Sequence, residues 1–194
     1  MSSIRIDEEV DKALHSLKKG HVILYPADTL WGLTCDITNG AAVQRLKEIK
    51  KDHSQGNLIL AVNSIEMLKD YALSIHPRIE TLLLYHKKPL SVIYDANPDI
   101  ERHLINSDGT IAIRVVKDKF SIDLISRLGQ AIISTVACTI ETEELPQSYE
   151  QVSDKIKNEV DHIVDSESID LDMLGMPSIL ARYNHKGDLE FIRM

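Results

Sequence analysis

At 194 residues, with 43% apolar and 27% charged side chains, the chain is long enough to bury a core and is not a disordered or low-complexity sequence. A formal charge of −8 leaves no broad basic footprint, which argues against tight nonspecific nucleic-acid binding and confines any RNA contact to a local patch. No apolar run approaches the roughly 18 residues of a membrane span.

The length suits one domain over residues 1–194. The first nine residues turn acidic where a signal peptide would have its apolar core, so the expected location is the cytoplasm. Cys35 and Cys138 lack Cys-x-x-Cys spacing, which speaks against a disulfide framework or structural zinc; both are expected as small buried apolar groups.

In chain order, a helix is expected over 8–19, with Asp7 as N-cap, Val10, Leu14 and Leu17 at helical spacing, and Gly20 as the left-handed residue past its end. The apolar run Val22-Ile23-Leu24 reads as a strand that stops at Pro26, since proline has no N–H for a ladder. Residues 26–36 then read as a loop. A helix over 39–51 buries Val43, Leu46 and Ile49 and ends in Lys47, Lys50 and Lys51. Those cations either favour a helix C-terminus or face a phosphate chain. A strand over 58–62 follows, then a short helix opened by a capping box at Asn63-Ser64-Ile65-Glu66. Another helix starts at Pro77, and 90–94 is a strand. Residues 95–109 show no clear pattern.

Residues 110–116 alternate, with Ile111, Ile113 and Val115 on one face and Arg114 on the other beside Ala112 and Val116. An arginine among apolar neighbours either lines a pocket or pairs with a carboxylate, because leaving it buried alone costs too much. A helix over 119–128, a strand over 131–136, a helix over 148–160 and a strand over 162–164 come next. Strands over 178–183 and 189–193 form a hairpin closed by 184–188. Strands alternating with helices and ending in a hairpin imply an α/β (α+β) fold, a twisted mixed β-sheet packed by helices.

The stretch Leu24-Tyr25-Pro26-Ala27-Asp28-Thr29-Leu30-Trp31-Gly32 places a hydroxyl, a carboxylate and an aromatic at a strand end. Such a loop can line a pocket, or it can be a plain connector with Trp31 on the core. There is no Walker P-loop, no Gly-x-Gly-x-x-Gly and no His-Glu-x-x-His, and with only eight glycines a glycine-rich phosphate cradle is unexpected. A bound nucleotide would have to be held by side chains and helix ends.

Residues 25–36 resemble the Y-P-T-[DE]-T-x-[YFW]-G-L-x-x-D signature of the YrdC/TsaC family, the threonylcarbamoyl-adenylate synthases. Further likenesses are Ala112-Ile113-Arg114 to the family's A-[VI]-R, Ser134-Thr135-Val136-Ala137-Cys138 to S-T-S-A-N, Met176-Pro177-Ser178-Ile179 to P-S-T-[IV], and Phe191-Ile192-Arg193 to the terminal I-[LI]-R. The resemblance implies a YrdC-like fold that joins L-threonine, bicarbonate and ATP, with Mg²⁺, into threonylcarbamoyl-AMP for tRNA modification. It implies threonine binding by Thr29, Arg114, Ser134 and Ser178, and ATP binding by Lys50 and Arg193. It brings no general base and no protein-held metal. Three positions depart from the pattern: Asp52 stands where Lys-x-Arg has its arginine, and Val136 and Cys138 replace a serine and an asparagine. Reversing a charge beside a triphosphate should weaken ATP binding unless Arg45, Lys47 or Lys51 compensates. The rival expectation is a paralogue similar to the YciO branch, which keeps the fold but binds double-stranded RNA, tRNA or a nucleotide without the synthase reaction.

Overall fold

The computed structural model describes residues 2–51, 58–139, 145–169, 171, 173–183 and 188–193. Among them nine strands make one mixed sheet: β1 (Ile23–Pro26), β2 (Trp31–Thr34), β3 (Ile59–Val62), β4 (Leu90–Asp95), β5 (Thr110–Val115), β6 (Ile132–Val136), β7 (His162–Ile163), β8 (Ile179–Tyr183) and β9 (Leu189–Arg193). Their spatial order is β7-β1-β2-β6-β3-β5-β4-β8-β9. The helices are α1 (Ser2–Lys18), α2 (Gly40–Lys50), α3 (Ile65–Tyr71), α4 (Pro77–Tyr85), α5 (Lys119–Leu128) and α6 (Asp154–Glu159). This is the mixed α/β architecture that the alternation of elements implies. No helix among the described residues is long and apolar enough to cross a membrane.

Alternate strand residues feed two cores. Ile23, Tyr25, Ala61 and Ile132 pack with Val10, Ala13 and Leu17 of α1 and Phe120 and Leu124 of α5. Leu24, Leu33, Leu60, Ile113 and Ile133 pack on the opposite face with Val43 and Leu46 of α2 and Ile79 and Leu83 of α4. Each fully buried Val, Leu, Ile or Phe side chain among them contributes about 1.5–3 kcal/mol relative to exposure. Helix ends follow their capping residues: Asn39 and Asp118 accept from Ala42 N and Ser121 N, and Gly20 and Gly129 take positive φ past α1 and α5.

Several boundaries differ from the sequence reading. Helix α1 begins well before residue 8, and Asp7 lies inside it, paired with Arg127 of α5 instead of capping. The cap of α3 is Ser64, whose hydroxyl accepts from Met67 N; Asn63 turns away to donate to Ser126. The single helix expected over 148–160 is a 3₁₀ turn, Tyr149–Gln151, followed by α6. Val152 is extended between them, and Ser153 starts the second piece by capping Ile156 N. The unassigned 95–109 stretch contains a 3₁₀ turn, Arg102–Leu104. The hairpin turn at 184–187 lies outside the described residues.

The largest correction concerns 26–36. Strand β1 continues through Pro26, and what reads as loop contains β2, paired antiparallel with Tyr25 opposite Gly32 and Pro26 opposite Trp31. The turn between them is only 27–30, closed by Ala27 N donating to Leu30 O at 3.3 Å. Proline is tolerated because the neighbour on the far side, β7, pairs only with Ile23 and Leu24, so no ladder bond is lost there.

Candidate active site

The 27–30 turn is fixed from both sides. Leu174 N and Gly175 N donate to Asp28 O and Thr29 O, each at 3.0 Å, and Trp31 N donates to Pro146 O at 3.0 Å. Between this turn, the ends of β5 and β6 and the segment before β8 lies a hollow of about 290 Å³, close to the lower end of the ~300–1,000 Å³ usual for ligand clefts. Thr29, Lys50, Arg114, Ser134, Ser178 and Arg193 all line it. The six residues singled out in the sequence, drawn from 165 positions of chain, therefore meet in one cavity.

Arg114 organises one end. Pairing across the sheet sets it opposite Ala61 of β3 and Ser91 of β4, and its side chain is 3% exposed. One terminal nitrogen donates to Asp28 Oδ1 at 2.8 Å and, at 3.4 Å, to Thr29 Oγ1. The other donates to Ser134 Oγ at 3.1 Å. The two readings of this arginine left open by the sequence both hold: it lines the hollow and it is ion-paired. Asp28 supplies the charge that makes its burial tolerable. Tyr25, fully buried, also donates to Ser134 Oγ at 3.1 Å, and burial pushes its phenol up to about 12. Ser178 shares a 2.8 Å hydrogen bond with Ser91.

Gly32 also borders the hollow, and a Cβ there would stand 3.1 Å from Thr135 O and 3.3 Å from Tyr25 Cε1. Glycine thus lets β2 and β6 close up behind the phenol ring.

Two further cations line the hollow. Lys50, at the last turn of α2, is buried, and its ammonium donates to Val136 O at 2.7 Å and Cys138 O at 2.8 Å. Arg193 of β9 donates through Nε and a terminal nitrogen to Ser178 O at 3.2 and 3.0 Å. Val136 and Cys138, the departures from S-T-S-A-N, both line the hollow, whereas Asp52 lies outside the described residues. Cys35 is buried as expected, but Cys138 is only half-buried because it sits on the hollow wall. Among the described residues no histidine or carboxylate lines the hollow, and no three His, Cys, Asp or Glu side chains cluster as a metal site.

Asp28, Tyr25 and Ser91 carry contacts that the sequence reading assigned to no site. Asp28 and Arg114 are 86 residues apart, and the one signal for their pairing was the need of a buried arginine for some carboxylate. Tyr25 looks like core, and its ring does pack on Phe120, 6.3 Å between centroids.

Residues 15–184 match the profile of the Sua5/YciO/YrdC family, described as telomere recombination. The threonylcarbamoyl-AMP synthase of Klebsiella pneumoniae is 34% identical over 134 residues, covering 67% of this chain and 70% of that protein. The synthase of the same name from Idiomarina loihiensis is 29% identical over 161 residues, covering 81% and 86%. Among solved structures, P. abyssi Sua5 complexed with L-threonine superposes with a TM-score of 0.79 at 22% identity, over 89% of this chain and 50% of that one, so the chain spans half of that larger protein. E. coli YciO superposes with a TM-score of 0.77 at 21% identity, over 95% and 87%. At these identities the structural likenesses establish a shared fold, and the match over 15–184 establishes kinship: the chain belongs to the Sua5/YciO/YrdC family.

Proposed function

We propose that the chain is a threonylcarbamoyl-AMP synthase, joining L-threonine, bicarbonate and ATP with release of pyrophosphate, in the cytoplasm and in the service of tRNA modification. The observation that carries this reading is the convergence on Arg114 of Asp28, Thr29 and Ser134 in a hollow that Lys50 and Arg193 also line. Relatives named for this activity support it.

Threonine sits at the Arg114 end, its carboxylate facing the guanidinium and the hydroxyls of Thr29 and Ser134, with Ser178 nearby. Its amine combines with bicarbonate, losing water, to give N-carboxythreonine. One oxygen of that new carboxylate attacks the α-phosphorus of ATP, and the bond from that phosphorus to the bridging oxygen breaks as pyrophosphate leaves. The protein positions the reactants and neutralises charge, with Lys50 and Arg193 as the cations assigned to the triphosphate. Mg²⁺ fits as a passenger of ATP, ligated by phosphate oxygens and water, in keeping with described lining side chains that are cations, hydroxyls, a thiol and apolar groups.

A pyrophosphate-release assay with threonine, bicarbonate, ATP and Mg²⁺ tests the reading. Threonine-dependent release that disappears in Arg114→Ala is expected. A folded sample that releases none at millimolar ATP overturns it.

A further inference from the structure

We propose that Tyr25 is a positioning residue: its phenol holds the Ser134 hydroxyl as a fixed proton donor to a carboxylate oxygen in the hollow. The identity of that carboxylate, an amino acid's, rests on the proposed synthase reading.

Hydrogen-bond valence fixes where the Ser134 proton points. A serine hydroxyl has one proton and two acceptor lone pairs. Arg114 can only donate, and its terminal nitrogen lies 3.1 Å from Ser134 Oγ. The Tyr25 hydroxyl donates to the same oxygen at 3.1 Å, and a phenol buried this completely keeps its proton. With both lone pairs occupied, the Ser134 proton must point elsewhere. It meets no acceptor among the described residues, and Ser134 is half-buried on the wall of the hollow. The remaining direction is toward a ligand.

The other two hydroxyls assigned to the amino acid differ. Thr29 Oγ1 has only a long 3.4 Å contact from Arg114. Ser178 and Ser91 can exchange donor and acceptor roles across their 2.8 Å contact. Ser134 alone has its rotor set from two sides. A donor aimed before the ligand arrives needs no reorientation on binding, and a donor beside a guanidinium selects an acceptor-only, anionic partner such as a carboxylate.

Tyr25→Phe removes only the hydroxyl and keeps the ring against Phe120. Neutron diffraction from deuterium-exchanged ligand-free crystals reads the geometry without any substrate. The expected result is the Tyr25 deuteron on the line to Ser134 Oγ and the Ser134 deuteron turned into the hollow; a Ser134 deuteron directed at the Tyr25 oxygen overturns the proposal. In kinetics, Tyr25→Phe should raise the KM for threonine about threefold to tenfold, the worth of one hydrogen bond, with the KM for ATP and kcat unchanged. In a Ser134→Ala background the same change should add nothing, and losses that multiply overturn the proposal. If the unsubstituted protein neither binds nor uses threonine, the synthase reading fails, while the neutron result still decides the role of Tyr25.

Discussion

Replacing Lys50 by methionine separates the structural role of its ammonium group from the phosphate-binding role proposed for it. The Lys50 stem runs buried to the end of β6, and methionine, unbranched and of similar length, fills the same channel. What disappears are the donors to Val136 O at 2.7 Å and Cys138 O at 2.8 Å. Val136 O retains a second donor, Cys138 N at 2.8 Å, so the main cost falls on Cys138 O. A hydrogen bond to a charged group is worth about 1.5–3 kcal/mol, and losing a buried ammonium returns part of its desolvation cost. The net expectation is a loss of about 2 kcal/mol, or roughly 4–8 °C in Tm for a chain of this size. Thermal and urea unfolding read the stability, and calorimetric titration with ATP reads the phosphate role. Under the synthase reading both should fall. A variant with unchanged Tm would refute the claim that this ammonium ties α2 to the end of β6.

Other substitutions probe the surroundings of Arg114 and the cap of α5. Arg114→Lys cannot fork to Asp28, Thr29 and Ser134 at once, and threonine affinity by calorimetry should fall at least about tenfold, about 1.4 kcal/mol; retained affinity contradicts the bidentate arrangement. Ser91→Ala leaves the Ser178 hydroxyl without its partner and should cost about 1 kcal/mol in urea unfolding, with no cost expected if the pair is incidental. Burial, first among its causes, raises the Asp118 carboxyl above its ordinary value of 3.8. A raised acid is fully compatible with the fold below that value and burdens it as pH rises through the folded-state value. Asp118→Asn keeps the oxygen that caps Ser121 N, so its Tm relative to the unsubstituted protein should climb as pH rises from 3 toward 7, and a flat difference rejects the assignment.

How far the site could be read in the sequence depends on whether its contacts are periodic or distant. Alternation along 110–116 places Arg114 on the face opposite Ile111 and Ile113, and β5 obeys it, because a period of two sends successive side chains to opposite faces of the sheet. Pairing is different in kind. Asp28 meets Arg114, and Tyr25 meets Ser134 across 109 residues, only because β1, β2, β6, β3 and β5 lie side by side, an order that local patterns do not encode. The 148–160 stretch shows the converse limit: Val152 and Ile156 keep helical spacing and are both buried, yet Ser153 caps a new helix between them, so correct periodicity coexists with a break.

Pro26 is the most instructive case. Its missing N–H was a sound reason to expect the chain to leave the sheet, and the rule fails here because β7 has already ended at the level of Leu24. With no strand paired to Tyr25 or Pro26 on that side, β1 can continue into a tight turn instead of a loop. That turn is what holds Asp28 and Thr29 rigidly over Arg114. A loop in the same place would have to order itself around each ligand and would give up binding energy to do so. The short β7, far from the hollow in the chain, is thus part of the reason the hollow is preformed: lengthening it by two paired residues would force Pro26 out of the ladder and loosen the wall that carries Asp28.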